Sequence, residues 1–194
     1  TVLGKIDSAN VDALLFLADA YRDMKQWPAL VQTLTRCIEV VDDKQRKKEI
    51  YVQLGQTQEE ILNDEREAMS AYRHALDIDP DHPVALEALD RLYRRAERWE
   101  DLVPIVERRI GIEQDETQLI ELRLDLAELF EDRLGRDDQA IKVYREVLDG
   151  WRPERTAGAL ASVARKLPPR AVRREGLSPH APYSTSPELL RGVD

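Results

Sequence analysis

The chain has 194 residues, 42% of them hydrophobic and 35% charged, with a formal net charge of −9. That length suits one or two compact domains or a short repeat array. The acidic balance argues against nucleic acid as a partner, because a phosphate backbone rewards positive surface. No apolar run approaches the roughly 18 to 20 residues that span a bilayer, which argues against a membrane protein.

Few glycines and aromatics in a chain rich in Leu, Ala, Glu and Arg favour helix over sheet. The single cysteine, Cys37, has no internal partner, so the fold needs no oxidising compartment; a cytoplasmic location is expected.

A shift of 72 places sets the register of everything that follows. It superposes Ile6-Asp7 on Ile78-Asp79, Ala13-Leu14 on Ala85-Leu86, Tyr21-Arg22 on Tyr93-Arg94 and Trp27 on Trp99. Further along it places Leu54 on Leu126, Ala68 on Ala140, Tyr72-Arg73 on Tyr144-Arg145 and Leu76-Asp77 on Leu148-Asp149. In all, 22 of the 78 pairs are identical without a gap, which marks an internal duplication.

In chain order, residues 1–9 fall on the closing turns of a second helix and are expected to end a preceding repeat. Hairpin 1 spans 10–43, with Leu17, Ala18, Tyr21, Leu30, Leu34, Cys37 and Ile38 on its packing faces. Hairpin 2 spans 44–81, with Leu54-Gly55, Ala68, Tyr72, Ala75, Leu76 and Pro80. Hairpin 3 spans 82–115, with Leu89, Tyr93, Leu102, Val106 and Ile110; hairpin 4 spans 116–152, with Leu126-Ala127, Phe130, Ala140, Tyr144, Val147 and Leu148. The second and fourth hairpins carry one extra residue before Ala68 and Ala140.

Residues 153–167 fit one terminal helix, ended by Pro168-Pro169 because proline has no amide donor and disfavours helix in the residue before it. Residues 168–194 read as an extended, basic, proline-rich tail. Residues 151–194 carry a net +4, which leaves −13 on residues 1–150.

The run Ala68-x-x-x-Tyr72-x-x-Ala75-Leu76-x-x-x-Pro80, preceded by Leu54-Gly55, resembles the tetratricopeptide repeat family. The sequence departs from the family pattern at Leu30 and Leu102, which stand where a small alanine is preferred. The resemblance implies an all-α fold, a right-handed α-solenoid of stacked antiparallel helical hairpins, here a fragment of a longer, bacterial-type array. It also implies a protein-protein interaction scaffold or adaptor, with partners lying in a groove lined by the first helix of each hairpin.

On those helices the candidate groove residues are Asp12, Leu15, Asp19 and Arg22 in hairpin 1, and Glu49, Gln56 and Glu59 in hairpin 2. Hairpin 3 contributes Arg91, Arg94 and Arg95, and hairpin 4 Glu121, Glu128 and Glu131. Further members of the stripe are Asp23, Val52, Glu60, Glu87, Leu124 and Asp132. A mostly acidic groove with one basic step suits a peptide or helical segment that is basic or neutral. One branch of the family clamps a partner's terminal carboxylate with Lys and Asn; Leu15, Asp19, Val52 and Gln56 on the corresponding stripe do not supply that clamp.

Nothing in the pattern points to an enzyme, a metal or a cofactor. His74, His82 and His180 lack a second His or Cys at zinc-ligand spacing, and the glycines stand singly rather than in a phosphate loop. Cys37 lies on an inward face and reads as a small packing residue. Trp27 and Trp99 recur with the duplication, so they read as wedges within their hairpins rather than binding anchors.

Self-association is expected through Val2, Leu3 and Ile6, or through docking of the basic tail (Arg165, Lys166, Arg170, Arg173, Arg174) on acidic helix surface. Competing functional readings are a helical-repeat RNA-binding module, for which only Arg91, Arg94 and Arg95 supply the basic groove, and the non-catalytic part of a larger enzyme or regulator.

Overall fold

Helix starts follow from the residues that can accept from orphan backbone amides. The Asp43 carboxylate accepts from the amides of Gln45 and Arg46 and opens α3 (Lys44–Gln56). Asp64 does the same for α4 (Glu65–Ile78), and Asp115 for α7 (Glu116–Glu128). For α5 (Pro83–Arg95) the acceptor is His82 Nδ1, with Pro83 at the first helical position, where a missing N–H costs nothing. The other helices are α1 (Val2–Asp23), α2 (Trp27–Val40), α6 (Trp99–Ile112) and α8 (Asp137–Gly150).

This computed structural model describes residues 2–150, with side chains from residue 11 to 147, and contains no strand among them. The terminal helix and tail expected at 153–194, and the side chains of Val2, Leu3 and Ile6, lie outside the described residues.

The chain divides into two compact units, residues 1–108 and 109–194. In the first, α1 packs on α2, α2 on α3, α3 on α4 and α4 on α5, so short turns fold successive helices back on one another. Its core joins Val11, Ala18, Leu30, Leu34, Cys37, Val41, Ile50, Leu54 and Ala71, with Tyr21 and Trp27 packed against them. Cys37 is fully buried, its thiol pushed up by desolvation. In the second unit α7 packs on α8 around Ile120, Leu124, Leu126, Ala127, Phe130, Ala140, Val143 and Tyr144.

Each hairpin turns through one residue in the left-handed region: Lys25 (φ 55°), Asn63 (53°), Glu97 (54°) and Gly135 (62°). Lys25 and Glu97 are 72 places apart, as are Asn63 and Gly135, so the duplication repeats the turn geometry as well as the helices. Two of these positions carry ordinary side chains where glycine or asparagine costs least.

The extra residue of the even hairpins has a structural counterpart. Helix α3 continues into a π turn, Thr57–Ile61, and α7 into Leu129–Arg133. The amide of Leu62 donates to the Thr57 carbonyl at 3.2 Å, and that of Leu134 to the Leu129 carbonyl at 3.2 Å. A π turn absorbs one inserted residue without breaking the helix. It also turns the side chains that follow out of the α-helical count.

Two expectations shift. Residues 2–9 are continuous with the first helix in α1. The prolines that separate α4 from α5, Pro80 and Pro83, are replaced by Ser8 and Val11 at the equivalent places, so nothing forces a break. Leu17 is exposed rather than packed.

Candidate protein-binding face

The first helices of unit 1 are tied together by charge. Arg46 of α3 donates to Asp12 of α1 at 2.9 Å, and Arg22 of α1 reaches both Asp19 (2.7 Å) and the Gln53 side chain (3.4 Å). Between the next pair, Arg91 of α5 grips Glu59 with two bonds, Nε to Oε1 at 2.9 Å and Nη2 to Oε2 at 3.0 Å. A planar guanidinium matches a carboxylate in this fork geometry. Arg95 donates to Glu65 at 2.7 Å, and Arg94 pairs with Asp90 on its own helix.

Glu59 is therefore not a groove acid. It is buried at the π turn, where the phenol of Tyr72 donates to its Oε2 at 3.2 Å. The extra residue in that turn carries Glu59 off the outward stripe predicted for a regular helix. Burial, then the charge and hydrogen bond of Glu59, push the Tyr72 phenol well above its ordinary range.

In the second unit Tyr144 donates to Glu131 at 3.2 Å, and its phenol is raised by burial and by Glu131 in the same way. This Tyr–Glu pair was missed as a unit, although Glu59/Glu131 and Tyr72/Tyr144 are identities of the duplication and the extra residue marks the turn.

The remaining candidates separate into three groups. Leu15 is half-buried against the core, and Val52 and Leu124, placed on the same stripe, are buried outright. Gln56 and Glu128 are half-buried, and Glu121 is exposed on α7. Glu49 is exposed on α3, as are Asp23 at the end of α1, Glu60 in the π turn and Glu87 on α5. Among the described residues these last four acids have no ion pair or hydrogen bond from a cation. The basic step at Arg91, Arg94 and Arg95 is occupied by Glu59, Asp90 and Glu65. On the first helices of unit 1 the exposed arginines are thus paired, while Asp23, Glu49, Glu60 and Glu87 are exposed acids without such a partner among the described residues.

The outer connections of the unit carry further pairs: Lys48 holds Asp79 at 3.0 Å, which keeps that carboxyl below its usual value, and Arg108 pairs with Asp81. Among the described residues no cluster of three or more His, Cys, Asp or Glu side chains is set to hold a metal. No helix among them is long and apolar enough to cross a membrane.

Helical hairpins of about 35 residues, a small-large interlock at Gly55 and Tyr72, and a duplicated register together define a helical repeat protein. The tetratricopeptide repeat model matches residues 13–48, 85–120 and 122–156, and a second model of the same name matches residues 48–82. The chain belongs to the tetratricopeptide repeat family, whose members generally bind other proteins.

Among solved structures it is similar to MamA, at 21% identity and a TM-score of 0.48 over 75% of each chain. It is also similar to pilF of Pseudomonas aeruginosa, at 16% identity and 0.47, over 75% of this chain and 64% of that one. A third is PilW, described as a widely conserved type IV pilus biogenesis factor, at 20% identity and 0.41, over 98% and 86%. No curated protein matches the chain in sequence.

Proposed function

We propose that this chain is a scaffold or adaptor module that holds another polypeptide on the face formed by α1, α3 and α5, and that it selects a segment that is basic or neutral. The observation that carries this reading is the set of exposed acids Asp23, Glu49, Glu60 and Glu87, uncompensated while the neighbouring arginines are engaged by other carboxylates. Fields from charges spaced within about 8 to 10 Å add before salt screens them, so a cationic segment is drawn in and an anionic one repelled. The RNA-binding alternative loses support on the same ground, since Arg91, Arg94 and Arg95 are the cations it would need.

The test is affinity for two extended peptides of matched length, one of net charge +4 and one of −4, at low and high salt. The cationic peptide binds, weakens with salt, and loses affinity on the double substitution Glu49→Lys, Glu87→Lys. Equal affinity for both peptides, or indifference to the double substitution, rejects the proposal.

A further inference from the structure

Each hairpin turn of unit 1 places one exposed side chain just before its left-handed residue: Met24 before Lys25, Leu62 before Asn63 and Ala96 before Glu97. Leu62 is 41% exposed although hairpin 2 has hairpins 1 and 3 on either side of it in sequence, so this place faces water inside the array as well as at its start. Ala96 shows that the turn needs no large apolar group there. Yet Met24 is 56% exposed, and the second turn adds Ile61 at 41%. Single exposed hydrophobics are ordinary, but three of the seven large ones exposed among the described residues fall in these two successive turns.

The two turns lie at one end of the stack. Helices α1 and α3 run the same way, since Asp12 meets Arg46 and, farther along both, Arg22 reaches Gln53. Each ends in its hairpin turn, and the π turn Thr57–Ile61 touches α2, which opens at Trp27 just past Met24. Acids are interleaved with the apolar groups: Asp23 precedes Met24, Glu60 precedes Ile61 and Asp64 follows Asn63, against the single cation Lys25 in residues 23–26 and 60–64. Seventy-two places on from Asp23-Met24 stand Arg95-Ala96, so the acid and the large apolar group are absent together from the third turn.

We infer that this edge anchors large apolar side chains of the partner, so that the segment held carries leucine-like residues between its cations rather than cations alone. The inference rests on the reading of α1, α3 and α5 as the face for a cationic polypeptide. Charge brings the segment in and is screened by salt, whereas burial of Met24, Ile61 and Leu62 under apolar side chains is not, and holds it.

Two peptides of equal length and net charge +4, one with leucines and one with serines between its lysines, test the anchor on the full chain. The leucine peptide is expected to bind about tenfold more tightly, with a margin that survives high salt. The double substitution Met24→Gln, Leu62→Gln removes that margin and leaves the affinity of the serine peptide unchanged, which also shows that the chain still folds; Met24→Leu keeps the margin. Equal, salt-sensitive affinity for both peptides overturns the anchor while the cationic face stands, and a margin indifferent to the double substitution overturns it too. A leucine peptide of net charge −4 that binds as tightly overturns the pairing of apolar groups with acids. Binding of neither +4 peptide rejects both the anchor and the face.

Discussion

In the second hairpin the carboxylate that meets the tyrosine is buried and gripped by Arg91; in the fourth the same carboxylate, Glu131, is half-buried. The tyrosine, the acid and the π turn recur together at a spacing of 72, whereas the arginine is supplied by the first helix of the next hairpin. The second pair differs in size as well. Tyr72 lies over Gly55, where an added Cβ would come 2.8 Å from the ring, while Tyr144 belongs to the hairpin that has Ala127 at the equivalent place. The comparison separates what makes a hairpin close, a buried tyrosine with a hydrogen-bonded hydroxyl, from what ties one hairpin to the next.

The largest expected effect falls on what the two share. Replacing Tyr72 or Tyr144 by Ala removes a buried ring and the hydrogen bond from its hydroxyl to the neighbouring acid, at a cost of about 3 to 5 kcal/mol in denaturant unfolding. A loss under about 1 kcal/mol at either position would break the equivalence.

Next comes what they do not share. Arg91→Ala leaves the buried Glu59 carboxylate with Tyr72 alone, and costs about 2 to 3 kcal/mol, below a fully buried pair because Arg91 is half in water. The more exposed pair of Arg95 with Glu65 loses under about 1 kcal/mol on Arg95→Ala. Equal losses at the two arginines would show that burial of Glu59 carries no weight.

Gly55→Ala overpacks the Tyr72 ring and destabilises by about 1 to 3 kcal/mol. The converse, Ala127→Gly, costs about 1 kcal/mol through helix propensity. A stabilising Gly55→Ala would mean that the ring moves aside freely.

The mildest perturbation is alkali. Both phenols are raised in the folded chain, so their contribution to stability is complete below the ordinary tyrosine value of about 10 and is lost as pH rises through the folded values. Tyrosinate absorbance in a pH titration should show Tyr72 and Tyr144, like the buried Tyr93, ionising only together with unfolding; ionisation of Tyr72 or Tyr144 while the chain stays folded contradicts the buried Tyr–Glu pairs.

Much of this architecture was legible before any coordinates. Ala68, Tyr72 and Ala75 repeat the helical period that a core stripe needs, and the 72-place identities located four hairpins, because packing between helices constrains residue size at fixed positions. The face for a partner was legible less well. A helical count assigned Glu59, Leu15 and Val52 outward, but a π turn redirects the first, and core packing on two sides claims the others. Pairing was the other gap: that Arg91 and Arg95 answer Glu59 and Glu65, some 30 places away, depends on how α5 stacks beside α3 and α4, which periodicity within one helix does not encode.

The most direct measurement of the central claim is backbone amide chemical-shift mapping by nuclear magnetic resonance while a lysine-rich peptide of net charge +4 is titrated in. Saturable shifts are expected, concentrated at Asp23, Glu49, Glu60 and Glu87 and their neighbours on α1, α3 and α5 and fading at high salt. Shifts absent at these residues, or confined to the second helices α2, α4 and α6, would contradict it.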